Sequence, residues 1–480
     1  LHQKKISIVI GIMISSTIFG QESYLFSNDK YSGINAAIIS PTQTFLNPNP
    51  WDVNVIAENV FVQNDYGYIS QESILGLRNA SIQTASPRKN ITGENTPEVF
   101  DFYNKNFATY HFSSDLLGPS FSLKTKIKDK GFAFGLFSRL RTQTSAVRVD
   151  NYLRFDNQNY QEPEFYELKP VKVNVMNWAE FGFNFATEVF PNSNYQWIIG
   201  GNLKYGMGLD AVVVKSAEME LTRTTIVDAD GVSKDLISAH NFDIEASYAT
   251  NYNFASSKYE LKRRGNGAGV DLGLTFVNKD ENSEDYISKI SFNILDVGFV
   301  NFLGENHRFT GQSIQLTENS TFENKKFDTP QKILQTLSQE VYGSPTASFQ
   351  GNHFTVGLPT SVNLNFSKNV GENRYMNANW IQRVPIFENS LKRSNILHLS
   401  YSVQKPVIGY GVSTSLYEYR NLQFGGYFRI GPLIIGSENA LPLLFKHKKL
   451  HAADLYLAQK FYPFWDSDLK RHRRKKCNCD

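Results

Sequence analysis

The 480-residue chain has only two cysteines, Cys477 and Cys479, both within its last four residues. The rest of the chain therefore has no disulfide framework and must be held by burial and backbone pairing. No apolar run reaches about 18 residues, which excludes membrane-spanning helices. Charged residues make up only 20% and the formal net charge is +3, too balanced to point to nucleic acid. The nine histidines are scattered. His447 and His451 are four apart, but no Glu follows the first, as a zincin helix requires. Asp228-Ala-Asp230-Gly231 lacks the twelfth-position ligand of a calcium loop and reads as a turn. Gly265-Asn-Gly267-Ala-Gly269 echoes a phosphate-binding loop, but no helix follows, so it reads as a turn into a strand. Cys477-x-Cys479 could take a soft metal or form an intermolecular disulfide, but two ligands alone make a weak metal site. No Ser/His/Asp set has the context of a known hydrolase. The expectation is a non-enzyme with no cofactor, no metal and no nucleic-acid partner.

What is abundant is aromatic: 36 Phe, 24 Tyr and 5 Trp, 14% of the chain. These residues recur with period two. Phe132, Phe134 and Leu136 alternate with Ala133, Gly135 and Phe137, and Arg139 and Arg141 follow on the second face. Phe181, Phe183 and Phe185 alternate with Gly182, Asn184 and Ala186. The same pattern runs through 197–205, 270–276, 290–295 and 397–404. One face is large and apolar and the other small, polar or charged. Strands that meet lipid on one side and water on the other require this alternation. A soluble sandwich would alternate too, without the need for so many aromatics near strand ends.

Short connections (128–130, 191–194, 279–285, 371–373, 405–406, 431–432) alternate with long ones (about 65–106, 149–171, 207–266, 304–351, 438–449), with smaller long-side loops near 389–394 and 415–420. This is the pattern of periplasmic turns and outer loops. Walking it predicts an all-β, antiparallel transmembrane barrel of about fourteen strands, from near Trp51 to near Phe461. The stretch 207–266 could hold an extra hairpin. The expected organisation is a secretory signal at 1–20, with basic Lys4 and Lys5 before a short apolar core, then an N-terminal segment at 21–50, the barrel at 51–462 and a basic periplasmic tail at 463–480. The outer membrane follows as the expected location, with both termini periplasmic and membrane lipid as a neighbour.

Residues 21–50 hold small residues and prolines, a composition for a compact irregular path. Irregular backbone at membrane depth must be shielded from lipid, so this segment is expected inside the lumen as a hatch. In one outer loop Thr329 reads as an N-cap and Pro330 as the first helical residue. Ile333, Leu334, Leu337 and Val341 then share a face, which either packs on the barrel rim or binds a partner. The tail carries Lys470, Arg471, Arg473, Arg474, Lys475 and Lys476, either as a solvated run or as a contact for anionic head groups or an acidic partner. Together with Lys4 and Lys5, and against Asp480, these residues more than account for the net charge, and residues 21–468 carry −4. Lumen-facing candidates are Arg139, Arg141, Asn184, Asn202, Lys204, Asp271 and Asn293. They form either a satisfied network that holds the hatch or a selectivity ring.

Several ordered pieces carry a resemblance: Tyr31-Ser-Gly33-Ile-Asn35-Ala-Ala, Asn47-Pro48, Trp51-Asp-Val-Asn-Val, Asn64-Asp65, Ile294-Leu-Asp-Val-Gly298, Gly357-Leu-Pro359 and Ala453-Asp-Leu-Tyr-Leu457. In this pattern the chain resembles the FadL-type family of outer-membrane transporters of hydrophobic compounds, and is similar to Bacteroidota barrel proteins and to the PorV-type accessory barrel of type 9 secretion. The resemblance implies a fourteen-stranded barrel with an N-terminal hatch that includes Tyr31, Gly33, Asn35, Pro41, Asn47 and Pro48. Asn49 stands where the related transporters carry a small residue, a departure at the hatch itself. Two functions are compatible with this. One is an accessory or structural barrel that binds envelope partners of an export or assembly machine. The other is a hatch-gated passive channel for a lipid-like small molecule, suggested by the aromatic first loop (Tyr66, Tyr68, Phe100, Phe102, Tyr103).

Overall fold

The structure, a computed structural model, describes residues 23–79, 83–84, 99–102, 107–128, 130–150, 164–190, 194–227, 231, 233–254, 256–279, 285–317, 327 and 329–463. The expected signal at 1–20, Tyr103, the Asp228–Asp230 turn, the basic run 470–476, Cys477 and Cys479 lie outside the described residues.

Fourteen antiparallel strands close into one barrel. They are β1 (Trp51–Asn64), β2 (Phe107–Leu117, continued by Ser120–Ile127), β3 (Lys130–Asp150), β4 (Glu164–Leu168, then Val171–Val189), β5 (Tyr195–Ser216, then Met219–Val227), β6 (Ser233–Ala249, then Gly265–Lys279), β7 (Tyr286–Thr317), β8 (Phe349–Gly357, then Ser361–Gly371), β9 (Arg374–Arg383), β10 (Ile396–Gln404), β11 (Ile408–Tyr417), β12 (Asn421–Ile430), β13 (Leu433–Ser437) and β14 (Ala452–Phe461). Each pairs with the next. The ring closes where β14 runs beside β1, with Val53 opposite Phe461 and Gln63 opposite Ala452. Among the described residues no strand of the ring is left as a free edge.

The alternation read from the sequence places the apolar face outward. Every strand contributes an exposed large apolar residue to the outer wall: Val53, Phe121, Leu136, Phe181, Leu203, Leu272, Phe292, Leu364, Trp380, Leu399, Tyr410, Phe424, Ile435 and Leu457. The opposite parity is buried and polar, as at Asn184, Asn202 and Asp271, which sit side by side on β4, β5 and β6. An apolar exterior around a polar interior inverts a water-soluble barrel, and it identifies a wall solvated by hydrocarbon.

Of the stretches expected as outer loops, 207–266 is largely strand, and 304–351 begins with strand to Thr317. β7 is 32 residues long, whereas a strand needs about 9–11 to cross hydrocarbon. Beyond the belt, β4 to β7 continue as a sheet: Leu221 pairs with both Tyr166 and Ala239, and Ile244 pairs with Phe309. The suspected extra hairpin is therefore the upper part of β5 and β6, not a further crossing. The alternation simply continues past the membrane, so pattern alone could not mark where lipid ends.

Inside the barrel, Phe137 of β3 is an aromatic on the polar parity. A Cβ built on Gly182 of β4 would lie 2.0 Å from its ring, so the glycine is the slot that admits it. Gly182→Ala should overpack this site and cost about 1–3 kcal/mol, read as a lower urea midpoint of the detergent-solubilised barrel. Adding Phe137→Leu should recover part of the loss.

Candidate functional site: the barrel lumen

Residues 23–50 form short turns of helix, α1 (Tyr24–Ser27), a 3-10 turn (Gly33–Ala36) and α2 (Gln43–Leu46). They contact inward-facing residues on strands all round the ring, so the segment lies within the wall. Asn35 Nδ2 donates to Asn54 Oδ1 of β1 at 2.7 Å. Pro41 O accepts from Asn184 Nδ2 of β4 at 3.0 Å, and Ala37 O from Asn202 Nδ2 of β5 at 2.8 Å. Thr42 meets Thr275 of β6 at 2.6 Å, and Asn28 Oδ1 accepts from Asn365 Nδ2 of β8 at 3.0 Å. These side-chain partners are what an irregular segment needs where no ladder serves its backbone.

Two buried ion pairs fix the segment near the end where the chain enters and leaves the barrel. Asp29 is paired with Arg429 of β12 at 3.1 Å, and both side chains are fully buried. Tyr427 Oη also donates to Asp29, at 2.7 Å. Arg429 lies 4.8 Å from the Tyr31 ring centroid, and Tyr31 stacks on Tyr462 at 5.8 Å. Lys460 of β14 bonds Asp52 and the carbonyls of Tyr31 and Ser32. Asp52 in turn accepts from Ile34 N at 3.1 Å. Gly33 sits against this carboxylate at φ +52°, where a Cβ would come within 2.0 Å of Asp52 Oδ2. Of the other expected hatch residues, Asn47 is buried and its Oδ1 accepts from Asn49 N at 3.1 Å, whereas Pro48 is exposed. Asn49, the departure from the transporter pattern, thus closes a local turn.

A second cluster lies deeper. Arg139 donates to Asp115 at 2.6 Å. Arg141 reaches Glu180 at 3.1 Å and Asp296 at 3.0 and 3.1 Å, and it covers the Trp178 ring at 4.6 Å. Lys204 joins Asp271 at 2.6 Å and also bonds Asp296, and Arg393 pairs with Asp296 as well. Four cations thus face four carboxylates, all buried, which is how charge persists away from water. The expected lumen residues Arg139, Arg141, Lys204 and Asp271 meet here, while Asn184 and Asn202 hold the N-terminal segment. Asn293 of β7 is buried opposite Gly273 of β6, with no hydrogen-bond partner for its amide among the described residues.

The sequence reading missed the acids Asp29, Asp52, Asp115, Glu180 and Asp296. Asp52 and Glu180 share parity with Asn54 and Asn184, so they were legible. Asp296 was hidden by a bulge: Leu295 and Asp296 both point inward, the ladder shifts between Val270 and Leu272, and Asp296 has φ +56°. The change from Ile290, Phe292, Ile294 to Val297, Phe299 on the outer face was its signal.

The loop 384–395 folds inward and covers the other side. Asn174 Nδ2 donates to Ser390 O at 2.6 Å, Leu391 N to Gly357 O at 3.0 Å, and Lys392 N to Ser145 Oγ at 3.0 Å. Beside it a cavity of about 340 Å³ opens at the mouth, lined by residues that include Gln63, Phe107, Arg148, Arg383, Tyr417 and Glu418. Burial acts to raise the Glu418 carboxyl, but His111, Arg383 and Asn395 N–H hold it below the usual carboxylate range. The loop helix α3 (Pro330–Tyr342) starts as expected, with Thr329 accepting from Lys332 N. Leu334, Leu337 and Val341 pack against Phe309 and Phe242 of the upper sheet, and Ile333 remains exposed. His447 opens a short strand, and the Gly265–Gly269 run lies in β6, where Gly265 and Gly267 admit the β7 backbone.

A family pattern matches residues 45–438. The chain belongs to the family described as "Family of unknown function (DUF5723)". No curated protein matches it. Among solved structures, a FadL homologue from Pseudomonas aeruginosa is 9% identical, with 93% of this chain and 98% of that chain covered at a TM-score of 0.29. The toluene transporter TodX of P. putida is 7% identical, with 90% and 94% covered at a TM-score of 0.27. Scores at this level carry no argument, and the transmembrane barrel stands on its closed ladder and apolar belt.

Removing one partner of a buried pair leaves the other charge uncompensated, at about 3–5 kcal/mol. Asp52→Asn should therefore free the N-terminal segment before the wall unfolds. Limited proteolysis in detergent should cut within residues 23–50 in this variant and leave the parent chain intact. Gly33→Ala should give the same cleavage, because its φ and the Asp52 contact both resist a side chain.

Proposed function

We propose that the chain is a non-enzymatic outer-membrane barrel held shut, which anchors an upper sheet and loops for an envelope partner. One observation carries this reading: residues 23–50 and loop 384–395 both bond inward-facing residues of the wall, and both are held at buried ion pairs. An open diffusion pore requires neither. In this reading 21–50 is a hatch that stays in place, 51–462 is the barrel, the long connections are extracellular and both termini are periplasmic. The basic tail from 463, with Lys470 to Lys476, contacts periplasmic or head-group acids, and an export or assembly complex of the kind served by PorV-type barrels fits this use. A fold of this type does not by itself dictate its use.

The second reading, a FadL-like passive channel for a hydrophobic small molecule gated by the hatch, has one feature in its favour. The β1–β2 ladder is interrupted at Gly118–Pro119, where Asn54 Nδ2 takes the carbonyls of Leu117 and Gly118. A cavity of about 30 Å³ beside Asn35, Ile38 and Leu117 lies next to this gap, smaller than any such solute.

Planar-bilayer recording and native purification separate the two. The closed-anchor reading predicts no steady conductance from the intact chain, conductance from a chain lacking residues 23–50, and a stoichiometric protein partner after mild detergent extraction. Recovery only as a monomer, together with hydrophobic-solute uptake into liposomes by the intact chain, would contradict it.

A further inference from the structure

β6 is interrupted in an unusual place. Its two halves keep pairing with β5 almost without a gap, Ala249 opposite Ala211 and Gly265 opposite Gly208. The fifteen residues between them leave the wall sideways and form a small hairpin, with Tyr252 opposite Tyr259. The neck is clamped: buried Asn251 donates to Leu209 O at 3.1 Å and Lys262 O at 2.6 Å, and accepts from Arg264 Nε at 2.9 Å. The hairpin lies on the outer face. Tyr259 Oη donates to Asp210, which also accepts from Asn177 Nδ2 at 3.3 Å, and Arg263 reaches Tyr205 Oη at 3.4 Å.

That contact fixes its height. Tyr205 and Phe181 are neighbouring outward residues of the apolar belt, and Asn177 and Asp210 are the first polar residues above them on the outward parity of β4 and β5. The hairpin therefore sits where hydrocarbon gives way to head groups. Its composition suits that layer. Tyr252, Phe254, Tyr259 and Leu261 are all exposed, Leu261 at 73%. Lys258, Lys262, Arg263 and Arg264 stand against Glu260 alone within 250–264. Amphipathic aromatics favour the interface, and cations are drawn to anionic head groups there.

We propose that the 250–264 hairpin is a docking element for the anionic head-group layer, with its aromatics at the interface and Lys258, Lys262 and Arg263 on lipid phosphates. It would fix the barrel's depth and rotation against one leaflet. This rests on the apolar belt alone and is independent of whether the lumen conducts.

The test is hydrogen–deuterium exchange of the full-length barrel in nanodiscs of phosphatidylcholine, of phosphatidylcholine with phosphatidylglycerol, and of phosphatidylcholine with lipid A. Exchange at 250–264 should slow by about tenfold or more in a disc with anionic lipid, since each cation contributes about a factor of five near such a surface. Protection with lipid A alone, or with both anionic lipids, supports the proposal and names the source. The variant K258Q/K262Q/R263Q should lose the difference between discs. Tyr252→Ser with Phe254→Ser should raise exchange in every disc. Heat-modifiable gel mobility confirms that each variant is folded. Equal exchange in all three discs, an unchanged difference in the neutralised variant, or equal protection by inorganic phosphate in detergent would overturn it.

Discussion

Most of the charge buried inside this barrel is paired. Taking a carboxylate or guanidinium out of water costs several kcal/mol even after relaxation, and the lumen holds many of both. The cost is met by geometry: Asp29 on Arg429, Asp52 on Lys460, and a four-against-four cluster centred on Asp296. Each pair joins parts of the chain far apart in sequence. The N-terminal segment and loop 384–395 are therefore partners that the wall charges require. A barrel without them would hold unmatched acids and bases around an empty core.

The outside obeys a different constraint. Lipid accepts no free sheet edge, so the strands close into a ring and the outward face carries large apolar residues on every strand. Above the belt that demand lapses. There β4 to β7 rise as a sheet backed by α3, and β6 releases a hairpin through its outer face without breaking the ring. The extramembrane architecture is thus built from the same strands that cross the membrane.

Much of this was legible in the sequence. The strand count, the closure between Trp51 and Phe461 and the inward set from Arg139 to Asp271 follow from period-two alternation. So does the N-cap at Thr329. What was hidden has physical causes. Alternation does not register where hydrocarbon ends, so the upper strands were read as loops. A bulge reverses parity, so Asp296, the centre of the deeper cluster, fell out of the inward list. The charged residues that hold the N-terminal segment, Asp52, Arg429 and Lys460, are single residues in different strands, and only closure of the ring brings Asp29 to Arg429 or Asp52 to Lys460. The helical face of Leu334, Leu337 and Val341 was visible, but what it covers depended on a sheet that was not.

The central claim is that buried ion pairing locks the N-terminal segment to the wall. A double-mutant cycle on Asp29 and Arg429, with Asp29→Asn, Arg429→Gln and both together, measures this directly through the unfolding midpoint in detergent. The account predicts that each single change is severe and that the double change costs far less than their sum, with a coupling of about 1–3 kcal/mol. Strict additivity, with the double variant losing the full sum, would contradict it.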